Sequence, residues 1–308
     1  MSYDQSLVLL SVALQSLGKV LYGTFLDELS LPLFLLSSFG LTAVVFVAVA
    51  GFRVPEAGRG HLLLLNLWSA ASFVGFFFAL RHLPPAVVAS IELCAALLAA
   101  IVLASVQDRL VPRRLRLIAC AGIAAGCLLL CRAEIGAVPA ASASLSAWLA
   151  IAAALLTGLT STLSARESKV LATAGWKPAQ VLAHRFYLTI AIAAAWLALE
   201  QPGLALPQAS SLLPIMLVAA VGVLAPLLLL QVALRRSDAL TVMICFAAQP
   251  LLSFLIAIPS PAYEWDVPTL FGVIVVTLFL GLDILAQRKA VPAVIPVRGE
   301  RHDRTRTR

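Results

Sequence analysis

Two charged residues of opposite sign stand inside long apolar runs: Lys19 in SLVLLSVALQSLGKVLYGTF and Glu92 in PPAVVASIELCAALLAAIVLA. An amine and a carboxylate so placed can bind a zwitterion, exchange a proton or neutralise one another. Each option relieves the roughly 2.5–3.5 kcal/mol that a charge costs at the centre of a membrane helix. Lys19 belongs to a stripe of Ser11, Gln15, Lys19 and Tyr22, spaced four, four and three, which share one helix face and should look into a bundle. Lys19 lies seven residues before the outer end of its apolar run and Glu92 seven after the outer start of its own. At 1.5 Å per residue both sit roughly 10 Å deep, so a Lys19–Glu92 pair is geometrically open. In that arrangement Glu92 binds a substrate amine or a proton, and Lys19 pairs with Glu92 or with a substrate carboxylate. Lys19 can instead snorkel to the headgroups and leave Glu92 unpaired.

A second stripe, Gln180, His184 and Tyr187, is spaced four and three, with Arg185 beside it. His184 suits either titration near neutral pH or a helix–helix hydrogen bond. Arg185 reads as an anchor at the inner interface or a cytoplasmic gate. Asn66 and Gln249 are expected to offer hydrogen bonds in a cavity, and Pro250 removes one backbone bond beside Gln249. Thr157, Thr160, Ser161 and Ser164 on one face, and the Gly122–Gly126 pair, read as close helix packing. For an apolar cation as ligand, the aromatics Trp68, Phe76 and Tyr22 would line the cavity.

The elements that must position these residues follow from composition. The chain has 308 residues, 61% apolar and 12% charged, with a mean hydropathy of +1.00. Soluble domains run at about 45–50% apolar and roughly 25% charged. This excludes a soluble enzyme, a disordered chain and a nucleic-acid-binding domain, despite the net charge of +7. A span needs roughly 20 helical residues. Cutting at charges, prolines and polar clusters gives ten, near 6–26, 31–51, 61–80, 85–105, 115–132, 146–165, 178–198, 211–232, 239–258 and 268–287. Unbroken apolar runs of this length exclude a β-barrel. One set of alternate loops, with the C-terminal tail, holds eighteen Lys and Arg; the other holds only Arg81 and Arg132, among acidic residues such as Asp27, Glu28 and Glu264. The asymmetry predicts both termini in the cytoplasm and a multi-pass protein of the inner (plasma) membrane. MSYDQ has no basic n-region, so no cleavable signal is expected. The five cysteines sit in apolar runs and read as packing residues rather than disulfides or metal ligands. The tail after Arg288 is basic and aperiodic, suited to enforcing topology or touching anionic lipid. A homodimer is left open.

An internal repeat relates ALRHLPPAVVASIELCAALLAAIVLA (79–104) to ALRRSDALTVMICFAAQPLLSFLIAI (233–258), at an offset of 154, or 153 after a one-residue gap. Five spans per copy invert the second, the architecture of many secondary transporters with a midplane site. The expected fold is therefore all-α: residues 1–135 and 136–287 as two inverted five-helix repeats, and 288–308 as a cytoplasmic tail. No HExxH, GxSxG or phosphate-binding glycine loop occurs, so no enzyme activity, metal or cofactor is expected. Gly281-Leu282-Asp283 has half of an intramembrane aspartyl protease motif, with Phe279 where that motif has glycine.

With these residues the chain resembles the drug/metabolite transporter superfamily of the EamA type. ALRHLPPAVVASIEL (79–93) is similar to the threonine/homoserine exporter branch, with Glu92 on that branch's Glu. ICFAAQPLLS (244–253) is similar to the family's SLEPAVA segment, with Pro250 on its Pro. Ala96 stands where the family has Pro, Gln249 where the branch has Glu, and Gln107-Asp108-Arg109 where the family has Gly-Glu-Arg. The resemblance implies a proton-coupled or exchanging exporter of an amino acid or similar small metabolite. Efflux of organic cations is the alternative; a lipid-modifying membrane enzyme and a non-transporting scaffold are the distant ones.

Overall fold

The computed structural model describes residues 3–25, 30–108, 114–137, 144–200, 209–236, 246, 248–260 and 266–288. Cys245, the acidic loop residues Asp27, Glu28 and Glu264, and the tail from Lys289 lie outside them. Among the described residues every regular element is helical: α1 (Tyr3–Phe25), α2 (Leu31–Ala50), α3 (Arg59–Leu80), α4 (Pro85–Asp108), α5 (Arg114–Ala137) and α6 (Ser144–Thr173). There follow α7 (Pro178–His184), α8 (Tyr187–Glu200), α9 (Ala209–Ala219), a π-helical turn (Ala220–Leu224), α10 (Ala225–Arg236), α11 (Gln249–Ala257) and α12 (Val267–Arg288).

Six stretches are long and apolar enough to cross a membrane: Leu31–Ala50, Arg59–Leu80, Pro85–Leu103, Leu145–Thr173, Pro178–Glu200 and Ile215–Val232. Three shorter apolar stretches, Ser6–Tyr22, Leu117–Leu130 and Val267–Leu282, accompany them. Leucine, valine and phenylalanine such as Leu63, Val102, Leu128 and Phe271 are exposed on the outside of the bundle, as hydrocarbon requires and water would penalise. The chain is a helical membrane protein.

One of the expected spans, described along its whole length, is interrupted. The stretch 178–198 breaks at Arg185–Phe186 into α7 and α8, although no proline or glycine marks the spot. Gln249 and Pro250 open α11 at its first turn, where the missing proline N–H would be unbonded anyway. The helices pack with α3 and α4 against α6, α1 against α10 and α11, α2 against α7 and α8, and α5 against α12. At two places glycine lets backbone meet backbone. A Cβ on Gly158 would run into the backbone carbonyl of Glu92, so α6 lies directly on α4 there. Gly18 and Gly222 meet backbone to backbone between α1 and the π-turn. Gly122 and Gly126 receive Phe279 and Val276 of α12, the packing role read from the sequence.

Candidate functional site

The polar stripe of α1 faces inward. Lys19 Nζ lies 2.6 Å from Glu92 Oε2, and the two side chains retain 4% and 19% of their exposure. The ammonium also stands 5.0 Å above the centroid of the Phe76 ring. In this setting the pair stabilises each partner, and removing one would strand a buried charge at a cost of about 3–5 kcal/mol. Snorkelling is not what Lys19 does: it points to Glu92.

The pair forms part of the wall of a partly open cavity of about 80 Å³. Gln15 and Tyr22 of α1 join Lys19; Ser72, Phe73, Phe76 and Phe77 come from α3, Glu92 from α4 and Thr157 from α6. Gly222 and Val223 of the π-turn, with Pro226 and Leu227 of α10, close the other side. Tyr22 is wedged edge-on between Phe34 and Phe77, at centroid distances of 4.9 and 5.0 Å. Gln15 donates from Nε2 to Ser11 Oγ at 3.1 Å and accepts from Gln249 Nε2 at 3.5 Å. The lining therefore combines one ion pair, amide and hydroxyl groups, and aromatic faces.

Hydroxyls of α1 and α6 tie the bundle together through backbone carbonyls. Ser11 Oγ donates to the Pro226 carbonyl at 2.8 Å and Ser16 Oγ to the Gln249 carbonyl at 3.5 Å. Thr157 Oγ1 donates to the Ser72 carbonyl at 3.2 Å and Thr162 Oγ1 to the Ala96 carbonyl at 3.2 Å. These side chains cost little to bury because each finds an acceptor.

The remaining residues singled out from the sequence lie elsewhere. Asn66 is not among the residues that line this cavity. Its Nδ2 donates to the carbonyls of His184 (2.8 Å) and Leu62 (3.0 Å), and its Oδ1 accepts from the Leu188 N–H at 3.3 Å. It thereby satisfies backbone groups freed by the α7–α8 break. His184 is fully buried with Nδ1 2.6 Å from the Tyr187 hydroxyl, and its ring stands 6.2 Å from that of Trp176. Gln180 accepts the Lys177 N–H at 2.9 Å, a cap at the start of α7. Trp68 is half-buried and outside the cavity wall.

Arg185 departs from its reading as an interfacial anchor. Its side chain is buried, with Nε donating to Ser69 Oγ at 2.8 Å and Nη2 to Ser164 Oγ at 2.7 Å. The guanidinium lies 5.8 Å from the Phe73 ring and 5.6 Å from that of Phe186. The break after His184 turns it inward, a change that sequence periodicity does not reveal. Phe73, Phe77 and Gly222 also went unnoticed in the sequence. The signal for the first two is their i, i+4 spacing on α3, and for Gly222 its place four residues before Pro226.

No family model matches the chain, and no curated protein matches it. Among the solved structures that share the fold is a crystal structure of a protein. It superposes with a TM-score of 0.59 over 91% of this chain and 98% of its own, at 18% identity.

Proposed function

We propose that the protein is a secondary transporter that exports an amino acid or a similar small metabolite across the inner membrane, driven by protons or by exchange. The observation that carries this reading is the Lys19–Glu92 pair on the wall of a cavity inside the helix bundle. A zwitterion can enter such a pair without changing its net charge: the substrate ammonium takes Glu92 as its partner, and the carboxylate takes Lys19. Gln15 supplies a hydrogen bond beside them.

Ten membrane-crossing helices in two inverted repeats, with both termini cytoplasmic, fit this function. The interior hydrogen bonds support the repeat. Donors Ser11 and Thr157 are 146 positions apart, as are Ser16 and Thr162. Their acceptors, Ser72 with Pro226 and Ala96 with Gln249, are separated by 154 and 153, the offsets of the Ala-Leu-Arg repeat. The helix pairs agree: α3 on α6 is mirrored by α10 on α1, and α4 on α6 by α11 on α1. Rocking one half against the other would open the cavity to alternate sides. Lys19 has Ala165 as its counterpart on this scheme, so the two halves share a frame but not a charge.

The aromatic faces of Tyr22, Phe73, Phe76 and Phe77 favour a second reading, efflux of organic cations. Inverted membrane vesicles under an imposed pH gradient separate the two, using labelled amino acids including threonine and homoserine alongside labelled tetraethylammonium. Saturable, gradient-dependent uptake of an amino acid that Glu92→Gln abolishes at equal protein level is the expected result. Uptake of tetraethylammonium alone would favour the second reading, and amino-acid uptake that survives Glu92→Gln would reduce Glu92 to a structural partner of Lys19.

A further inference from the structure

We infer that Arg185 is an anion-binding group held ready for the carboxylate of the transported molecule, behind the Phe73 wall of the cavity that Lys19 and Glu92 line. The inference deepens the transporter reading and rests on it. Arg185 retains 9% of its exposure, and its guanidinium touches no carboxylate among the described residues. The two serine hydroxyls use two of its five N–H donors, and neither neutralises its charge. A permanently charged group in a membrane bundle needs a counter-charge or water.

The buried carboxylates nearby are already engaged. Glu92 holds Lys19 at 2.6 Å. Glu167, one helical turn past Ser164 on α6, holds His61 Nδ1 at 2.6 Å and makes no ion pair with Arg185. The planar fork of arginine matches a carboxylate through two parallel hydrogen bonds, a geometry that a lysine at the same place would lack. Ser69 and Ser164 grip the guanidinium from Nε and one Nη2 hydrogen, which sets its plane and leaves the Nη1 edge for such a ligand.

The position joins this group to the cavity. Phe73 lines the cavity and also lies 5.8 Å from the Arg185 guanidinium, so the cation sits directly behind that wall. Phe76, one turn further along α3, carries Lys19. The same helix thus sets an aromatic ring against each of the two cations in sequence, with Phe73 standing between Arg185 and the cavity. A molecule carrying a carboxylate meets Arg185 on the half of the bundle expected to face the cytoplasm and Lys19 on the other. An organic cation finds an uncompensated positive charge on that route.

Thermal unfolding of the purified full-length protein, followed by tryptophan fluorescence, tests this with three probes at fixed chloride: L-threonine, butyrate and tetraethylammonium. In wild type, threonine and butyrate should raise Tm saturably and tetraethylammonium should not. Arg185→Gln should raise the half-saturating concentration of both carboxylates at least tenfold, and Arg185→Lys should fall between the two. Stabilisation of wild type by tetraethylammonium but by neither carboxylate would overturn the inference without reference to any variant. So would an equal effect of added chloride, which would make the site one for inorganic anions. Unchanged butyrate and threonine binding in a folded Arg185→Gln would also overturn it. That result would leave vesicle transport, and the role of Glu92 in it, standing.

Discussion

Lys19 and Arg185 are both buried, and both lie over phenylalanines of α3 one helical turn apart, yet their charges are handled in opposite ways. Lys19 meets a carboxylate from α4, whereas Arg185 meets two hydroxyls, from α3 and α6. The first partnership lies wholly within residues 1–135; the second bridges 1–135 and 136–287. α1 packs on α10 and α11 whereas α4 packs on α6, so Lys19–Glu92 joins two groups of helices, while Ser69 and Ser164 hold Arg185 from α3 and α6, which pack on each other. The contrast teaches that the ion pair is a contact between packed groups and the arginine a charge solvated against one of them.

The strongest way to break this comparison is Glu92→Leu, which strands Lys19. Detergent-purified protein titrated with SDS should lose about 3–5 kcal/mol of stability. Adding Lys19→Met should recover most of the loss, and a double variant as weak as the single would mean the two charges are not coupled. Ser164→Ala comes next, at about 1.5–3 kcal/mol for a hydrogen bond to a charged group in the same titration. A loss equal to that of Glu92→Leu would erase the distinction between neutralised and merely solvated charge. Gly158→Ala pushes α6 off the Glu92 carbonyl and should cost about 1–3 kcal/mol in SDS resistance, with the loss unchanged when the Glu92 side chain is already replaced, because the clash is with the backbone. Phe76→Leu sharpens the comparison most finely: losing the ring beneath Lys19 should cost about 0.5–2 kcal/mol, read from the Tm of the same preparation.

The helices and the ion pair were legible in the sequence because both follow from the cost of polarity in hydrocarbon. Apolar run length marks a span, and a lysine and a carboxylate at equal depth have few alternatives to each other. Arg185 was not legible for the same reason inverted. Seven residues from a helix end, it has an interface within reach, and only the unmarked break at Arg185–Phe186 directs it inward. Asn66 likewise suggested a cavity ligand, because an amide in an apolar run states a need for partners without saying which. Its partners are the carbonyl of His184 and the N–H of Leu188, backbone groups whose release depends on that break. Periodicity describes regular helices, so the irregular sites that break them are where it carries least information.

The π-turn at Ala220–Leu224 is one such irregularity, and it sets an angular index for the cavity wall. Each residue of an α-helix advances the azimuth by about 100° and the axis by 1.5 Å. A π-turn absorbs one surplus residue, so Pro226 and Leu227 face the cavity as they would from a plain α-helix one residue shorter. Closing the turn as ordinary α-helix without removing a residue would carry the segment below it round by about 100°. Other side chains of α10 would then face the chamber, with its aromatic side untouched. The selectivity of this wall is thus adjustable by indexing as well as by substitution.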